Sequence, residues 1–124
     1  MAKLYTLVPR PVGRFEGVDL MARCVFGLIY DRWQLSDRSD ESRRKYSDED
    51  GVYCYFDREE MAKELGVTLP TVRRAVTTLI DRKLLIIKRS GVCSPWRYYV
   101  PWRLARDLDP RKHEQYYEES LISI

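Results

Sequence analysis

The fold is decided by residues 52–100, which read VYCYFDREEMAKELGVTLPTVRRAVTTLIDRKLLIIKRSGVCSPWRYYV. Residues 52–56 alternate aromatic and β-branched side chains, as a short half-buried strand does. Asp57 and Glu60 then form a capping-box-like helix start, and Gly66 permits the left-handed turn that ends a helix. The stretch therefore begins with a predicted strand that leads directly into a short helix.

A second helix is predicted within about four residues of the first one. Thr68 is a good N-cap, Pro70 suits the first turn because its missing N–H costs nothing there, and apolar side chains recur at helical spacing: Val72, Ala75, Val76, Leu79 and Ile80. Residues 84–88 and 97–100 are extended runs on either side of the turn residues 91–95, which predicts a β-hairpin. The order of strand, helix, tight turn, helix and hairpin is that of a winged helix-turn-helix.

Further elements are predicted on both sides of this motif. Asp19 caps a core helix whose apolar side chains recur at three-and-four spacing: Leu20, Met21, Cys24, Val25, Leu28, Ile29 and Trp33. Residues 36–50 have no apolar period and are predicted to be a solvated polar loop, whereas residues 102–122 are predicted to be a C-terminal helical extension. We expect a single α+β domain, mostly α, over residues 1–124, with its core in residues 18–100.

Composition excludes several classes of protein. The chain has 124 residues, of which 44% are hydrophobic and 33% charged, so it has room for one compact domain. No apolar stretch is long enough to cross a bilayer and no leader opens the sequence, so we expect a cytoplasmic protein without membrane contact. Three widely spaced cysteines and the single His113 form no metal-binding pattern. No phosphate loop, nucleophile elbow or paired ligands are present, so we expect no enzyme activity, no catalytic residues, no metal and no cofactor.

Positive charge is concentrated in one segment. The whole chain carries a formal net charge of +3, which by itself does not suggest a nucleic-acid partner. Residues 68–103, however, contain eight basic side chains and one acidic side chain, Asp81, so this segment carries +7 and the remaining chain −4. The basic segment coincides with the second helix and the hairpin, and a polyanion would be attracted to it.

These positions predict sequence-specific contacts with double-stranded DNA. In a helix-turn-helix the second, recognition helix enters the major groove by its N-terminal end, so the residues opposite the apolar stripe are the candidates for base contact: Leu69, Pro70, Thr71, Arg73, Arg74 and Thr77. Arginine pairs bidentately with guanine, and threonine can reach phosphates or a thymine methyl group. Phosphate contacts are expected from the recognition-helix cap and the hairpin, or wing: Thr68, Lys88, Arg89 and Arg97. The alternative is that Arg73 and Arg74 lie on a merely solvated helix face.

Several other residues leave two interpretations open. Trp96, near the wing tip, either covers the core or wedges against a groove wall or sugar of DNA. Lys3, Arg10 and Arg14 could act as an arm in the minor groove. Residues 43–45 could touch a phosphate backbone, or belong to a solvated loop.

The sequence resembles the N-terminal domain of the RepA-type replication initiator proteins of plasmids and related mobile elements of Gram-positive bacteria. The resemblance is carried by residues 22–36 (ARCVFGLIYDRWQLS), by residues 48–67 (DEDGVYCYFDREEMAKELGV) and by the segment TVRRAVTTLIDRKLLIIKRSG…RYYV. It implies a winged-helix domain that binds repeated sites at a replication origin, commonly as a homodimer, with Arg73, Arg74 and the wing in that role. The wing tip reads GVCSP, where wings of this family often carry a Gly-x-Gly-Lys-Pro type tip.

Two other functions fit the same sequence. A transcriptional repressor of a mobile element would use the same DNA-binding chemistry as an initiator. A protein-interaction or dimerisation module without DNA binding would instead use the apolar side chains near the C-terminus: Tyr116, Tyr117, Leu121 and Ile122.

Overall fold

The computed structural model of the chain describes residues 8–108. Its helices are α1 (Leu20–Asp37), α2 (Asp40–Lys45), α3 (Arg58–Leu65), α4 (Leu69–Asp81) and α5 (Trp102–Leu108), with a 3-10 turn at Gly13–Phe15. The strands β1 (Ser47–Asp48), β2 (Gly51–Tyr55), β3 (Ile86–Lys88) and β4 (Arg97–Tyr99) form an antiparallel sheet in the order β1-β2-β4-β3. The fold is α+β and mostly α, and α3, α4 and the β3–β4 hairpin form the predicted winged helix-turn-helix.

The core lies between α1, α4 and β2. The predicted cap of α1 is present, since the Asp19 carboxylate accepts a hydrogen bond from the Ala22 N–H at 3.3 Å. Three members of the predicted apolar stripe of α1 are buried, namely Val25, Ile29 and Trp33, and Met21, Cys24 and Leu28 are half-buried. Leu20 is an exception, with 61% of its surface exposed, because it is the first residue of the helix and precedes the turns that pack on the core.

The predicted loop over residues 36–50 is wrong, because it contains α2 and β1. Helix α2 forms from local capping rather than from an apolar period: the side chains of Ser39 and Ser42 each accept a hydrogen bond from the other residue's backbone N–H. Acidic residues in its first turn and basic residues in its last turn also match the helix dipole. After α2, the Asp48 carboxylate accepts a hydrogen bond from the Asp50 N–H at 2.8 Å, which supports the tight β1–β2 turn.

The helix-turn-helix forms largely as predicted, but only the Asp57 half of the predicted capping box is present, because the Glu60 carboxylate pairs with Arg32 at 3.5 Å. The Asp57 carboxylate accepts a hydrogen bond from the Glu59 N–H at 3.1 Å at the start of α3, and Gly66 ends α3 in the left-handed conformation with φ 68°. Thr68 is the N-cap residue of α4, but its side chain makes no capping hydrogen bond to the backbone. Its hydroxyl instead lies 2.9 Å from that of Thr71, so the predicted side-chain cap is wrong.

The wing strands are shorter than the predicted runs. Leu84 and Leu85 lie before β3 and are buried in the core, so only the following residues pair with β4. The core also extends beyond residues 18–100, since Phe15 on one side and Leu104 in α5 on the other belong to it. Of the predicted extension over 102–122, α5 is helical, and residues 109–122 lie outside the described part of the chain.

Candidate nucleic-acid interface

The outward face of α4 carries the predicted base-contacting residues. Pro70, Arg73, Arg74 and Thr77 are exposed, and Leu69 and Thr71 are half-buried. The opposite stripe is buried against the core, as predicted: Val72, Ala75, Val76 and Leu79. No acidic residue precedes Asp81 in α4, and Arg73 and Arg74 are its two cations, so the N-terminal part of this outward face is cationic.

A line of polar side chains runs along the first two turns of α4. The Arg74 guanidinium donates a hydrogen bond from Nη2 to the Thr71 hydroxyl at 3.3 Å, and that hydroxyl lies 2.9 Å from the Thr68 hydroxyl. Thr78, one turn further on, donates to the Arg74 carbonyl oxygen at 3.1 Å and is thereby occupied. The side chains of Thr68, Thr71 and Arg74 therefore form a hydrogen-bonded line at the N-terminal end of α4, which is the end that a recognition helix presents to base edges.

A groove of about 550 Å³ separates the start of α4 from the tip of the wing. Its walls come from α3, α4, the end of β2 and the wing tip, and its lining includes Tyr55, Arg58, Leu69, Arg73, Pro95 and Trp96. The structure thus brings residues of α4 and of the wing tip to one concave surface, which we call the helix–wing groove.

Trp96 lies in the helix–wing groove between two arginines. Its ring centroid is 4.3 Å from the guanidinium carbon of Arg89 and 5.5 Å from that of Arg58, and it packs half-buried against the core. The Arg58 Nε in turn donates a hydrogen bond to the Tyr98 hydroxyl at 3.2 Å. These contacts attach the wing to α3. Sequence reasoning missed Arg58, because its role depends on contacts with residues about forty positions away along the chain.

Two of the predicted phosphate-contacting residues form ion pairs with the β1–β2 turn. The Lys88 ammonium pairs with the Asp50 carboxylate, and the Arg97 guanidinium lies 2.7 Å from the Asp48 carboxylate. Arg97 also lies over the Tyr53 ring, 4.5 Å from its centroid. Arg89 makes no ion pair among residues 8–108, so of the three wing cations it is the one that has no carboxylate partner in that range.

Asp48 lies at the centre of a hydrogen-bond network on the outer face of the sheet. Besides Arg97, the Tyr99 hydroxyl donates a hydrogen bond to its carboxylate at 2.5 Å, as does the Asp50 N–H. Burial alone would raise the pKa of Asp48, but these hydrogen bonds together lower it below its ordinary value of 3.8. Burial and the same carboxylate raise the pKa of Tyr99 to about 12. The network therefore favours an ionised Asp48 beside a protonated Tyr99.

This network predicts a pH dependence of stability. Because the pKa of Asp48 is lower in the folded chain than its ordinary value of 3.8, its stabilising contribution is complete well above that pH and is lost as the pH falls through that value and below it. We expect Asp48→Asn to lose less free energy of unfolding than the wild type between about pH 6 and about pH 3, as measured by urea unfolding. Equal losses in the two proteins would contradict this assignment.

Most of the other basic residues that the sequence suggested for DNA contact either form ion pairs with carboxylates or lie outside residues 8–108. Arg43 pairs with the buried Asp37 at 3.3 Å, which gives it a structural role at the end of α1. Arg14 pairs with Asp107 of α5 at 3.5 Å. Arg10 is exposed, and Lys3 lies outside residues 8–108.

Residues 8–108 contain no group of three or more His, Cys, Asp or Glu side chains placed to hold a metal ion. Within the same range, no helix has the length and hydrophobicity needed to cross a membrane.

The fold and this surface define a winged-helix domain. The fold is shared with two solved structures, described as the N-terminal domain of a DNA-binding protein and as a Rep–DNA complex. Each is 18% identical to this chain with a TM-score of 0.59 and covers 86% of it, and the alignment spans 87% and 88% of those chains. No protein-family model and no curated protein matches the sequence. The winged-helix fold that the sequence resemblance implies is thus confirmed.

Proposed function

We propose that this chain binds double-stranded DNA in a sequence-specific manner and acts in the initiation of plasmid or mobile-element replication. The observation that carries the proposal is the outward face of α4, which is exposed, cationic and free of acidic side chains at the N-terminal end of a recognition helix. Support for the replication role comes from the sequence resemblance and from the shared fold, since one neighbour is described as a Rep–DNA complex.

In the proposed complex, α4 lies in the major groove and the wing follows the phosphate backbone. Arg73 and Arg74 would read base edges by bidentate hydrogen bonds, while Leu69, Pro70, Thr71 and Thr77 would contribute apolar and hydroxyl contacts. Arg89 would contact a phosphate beside Trp96, and Thr68 and Lys88 would contact the backbone further along. Arg97, held by Asp48, would contribute positive potential to the wing.

Selection of bound sequences from a random duplex pool, followed by fluorescence anisotropy across a salt series, tests the proposal. With about five phosphate contacts, log K should fall with log salt at a slope of about −4 to −5. A homodimer would select two half-sites about one helical turn, 10–10.5 base pairs, apart, and sedimentation of the complex would show two chains per duplex. A pool that yields no enriched sequence would contradict sequence-specific binding.

An initiator and a repressor would share this chemistry, so the position of the selected site in the element's DNA separates them. A repeated site within a replication origin supports initiation. A single site over the promoter of the chain's own gene supports repression.

Thiol labelling provides a second measurement of the wing's position. Cys93 is exposed at the wing tip, whereas Cys54 is buried and its burial raises the pKa of its thiol to about 12. We therefore expect Cys93 to react rapidly with a disulfide reagent and Cys54 slowly, because the thiolate is the reactive form. Saturating selected duplex should slow the labelling of Cys93 several-fold.

The half-buried Cys24 on α1 is the internal control for this experiment, and mass spectrometry resolves the three sites. Its labelling rate should be the same with and without duplex. An unchanged rate at Cys93 in saturated complexes would contradict contact between the wing tip and DNA.

A further inference from the structure

We propose that Asp50 competes with DNA phosphate for Lys88, so that the acidic β1–β2 turn sets the affinity and the salt dependence of the wing. This inference rests on the proposed function. The β1–β2 turn lies outside the helix-turn-helix. The inference gives this turn a role in DNA binding, with Asp50 as a residue that determines the affinity.

The two ion pairs of the wing differ in how easily an external anion can replace them. In the pair of Lys88 with Asp50, 47% and 38% of the two side chains are exposed. In the pair of Arg97 with Asp48, the corresponding values are 32% and 17%. Ion pairs between exposed side chains are weak and exchange readily with solvent ions, so a phosphate can displace Asp50 from Lys88. The half-buried Asp48 carboxylate holds Arg97 more firmly.

The geometry of the turn keeps Asp50 in place beside Lys88. The Asp50 N–H donates a hydrogen bond to the Asp48 carboxylate at 2.8 Å, and the Tyr99 hydroxyl and Arg97 donate to that same carboxylate. Lys88 faces Arg97 directly across the β3–β4 pair. The turn thus presents Asp50 at a defined position, rather than as a freely moving charge.

Competition by Asp50 reduces the affinity for DNA that a contact between Lys88 and a phosphate contributes. When Lys88 leaves Asp50 for a phosphate, the released carboxylate takes up a cation from solution, which cancels part of the counterion release that drives binding. Without the Asp50 carboxylate, the contact between Lys88 and a phosphate would release a cation from the DNA with no compensating uptake of a cation by the protein. Removal of the Asp50 charge should therefore raise the affinity and steepen the salt dependence together.

The test compares Asp50→Asn with the matched variant Glu49→Gln, by anisotropy on the selected duplex across a salt series. Both variants remove one negative charge from the same turn, but Glu49 is exposed and makes no ion pair among residues 8–108. Asp50→Asn should tighten binding about three- to fivefold more than Glu49→Gln at low salt, the size expected for an exposed ion pair, and should steepen the salt slope by up to about 1.

A Lys88→Ala background separates specific competition from general electrostatics. In that background, Asp50→Asn and Glu49→Gln should have equal effects on affinity and on slope, because the competing partner is gone. Circular dichroism and urea unfolding of each variant verify that the fold is retained.

The inference is overturned if Asp50→Asn and Glu49→Gln have the same affinity and slope when Lys88 is present, while the wild type still binds duplex specifically. A wild type that binds no duplex would defeat the proposed function itself, and this inference with it. The two failures are therefore distinguishable in one experiment.

Discussion

Replacing Arg73 and Arg74 together by Ala is expected to lower the affinity for the selected duplex by at least about 30-fold. A good bidentate contact between arginine and guanine is worth about 1–3 kcal/mol, so loss of both costs about 2–6 kcal/mol. Both side chains are exposed on α4, so the fold should be retained, with changes in the free energy of unfolding within about 0.5 kcal/mol. Fluorescence anisotropy measures the affinity, and urea unfolding measures the stability.

The matched control is the double variant Arg38→Ala, Arg44→Ala, which removes two exposed arginines from the end of α1 and from α2. It lowers the net charge equally, but leaves the helix–wing groove and α4 unchanged. We expect only the modest loss that reduced long-range attraction causes at low salt. Equal losses in the two double variants would contradict direct contact by α4, and would indicate a non-specific charge effect.

Arg73→Ala alone should also relax the sequence preference at one base pair of the selected site. Lys88→Ala, by contrast, should weaken binding to all sequences about equally, because a phosphate contact carries no base information.

Trp33→Ala is expected to lower the free energy of unfolding by about 3–5 kcal/mol. Trp33 is buried, stacks on Tyr30 with 5.9 Å between ring centroids, and donates a hydrogen bond from Nε1 to the Val52 carbonyl oxygen at 2.8 Å. It therefore joins α1 to β2. Since domains of this size are stable by only about 5–15 kcal/mol, a large fraction of the protein should be unfolded at moderate urea concentration.

Two further variants separate the contributions at this site. Trp33→Phe keeps most of the apolar volume but leaves the Val52 carbonyl without this donor, which should cost about 1–3 kcal/mol. Leu35→Ala removes an exposed side chain of the same helix, so we expect a change within about 0.5 kcal/mol. If Trp33→Ala costs no more than Leu35→Ala, the role of Trp33 in the core is wrong.

The helix-turn-helix could be predicted from the sequence because its signals are local. The apolar residues of α4 recur at helical spacing, and that spacing predicts all four of its buried side chains. Gly66 ends α3 as predicted, because a left-handed residue at that position favours glycine. Once the buried stripe is known, geometry places Arg73 and Arg74 on the opposite face.

Helix α2 could not be predicted from apolar periodicity because it buries no side chain. Its stability depends on the reciprocal Ser39–Ser42 cap and on its charge distribution. The polar residues that provide both are also common in loops, so their presence does not distinguish a helix from a loop. The usual capping box has Glu or Gln at the third helical position. In α2 this position is Ser42, so the sequence contains only a weaker form of the signal.

The sequence by itself determined α1, the helix-turn-helix and the exposed face of α4, because these properties depend on the spacing of side chains within one element. The tertiary structure alone decided which cations of the wing are paired with a carboxylate. Lys88 and Arg97 look equivalent in the sequence to Arg89, yet Asp50 and Asp48 pair with the first two. Those carboxylates come from a turn about forty to fifty residues earlier in the chain, and only folding brings them to the wing.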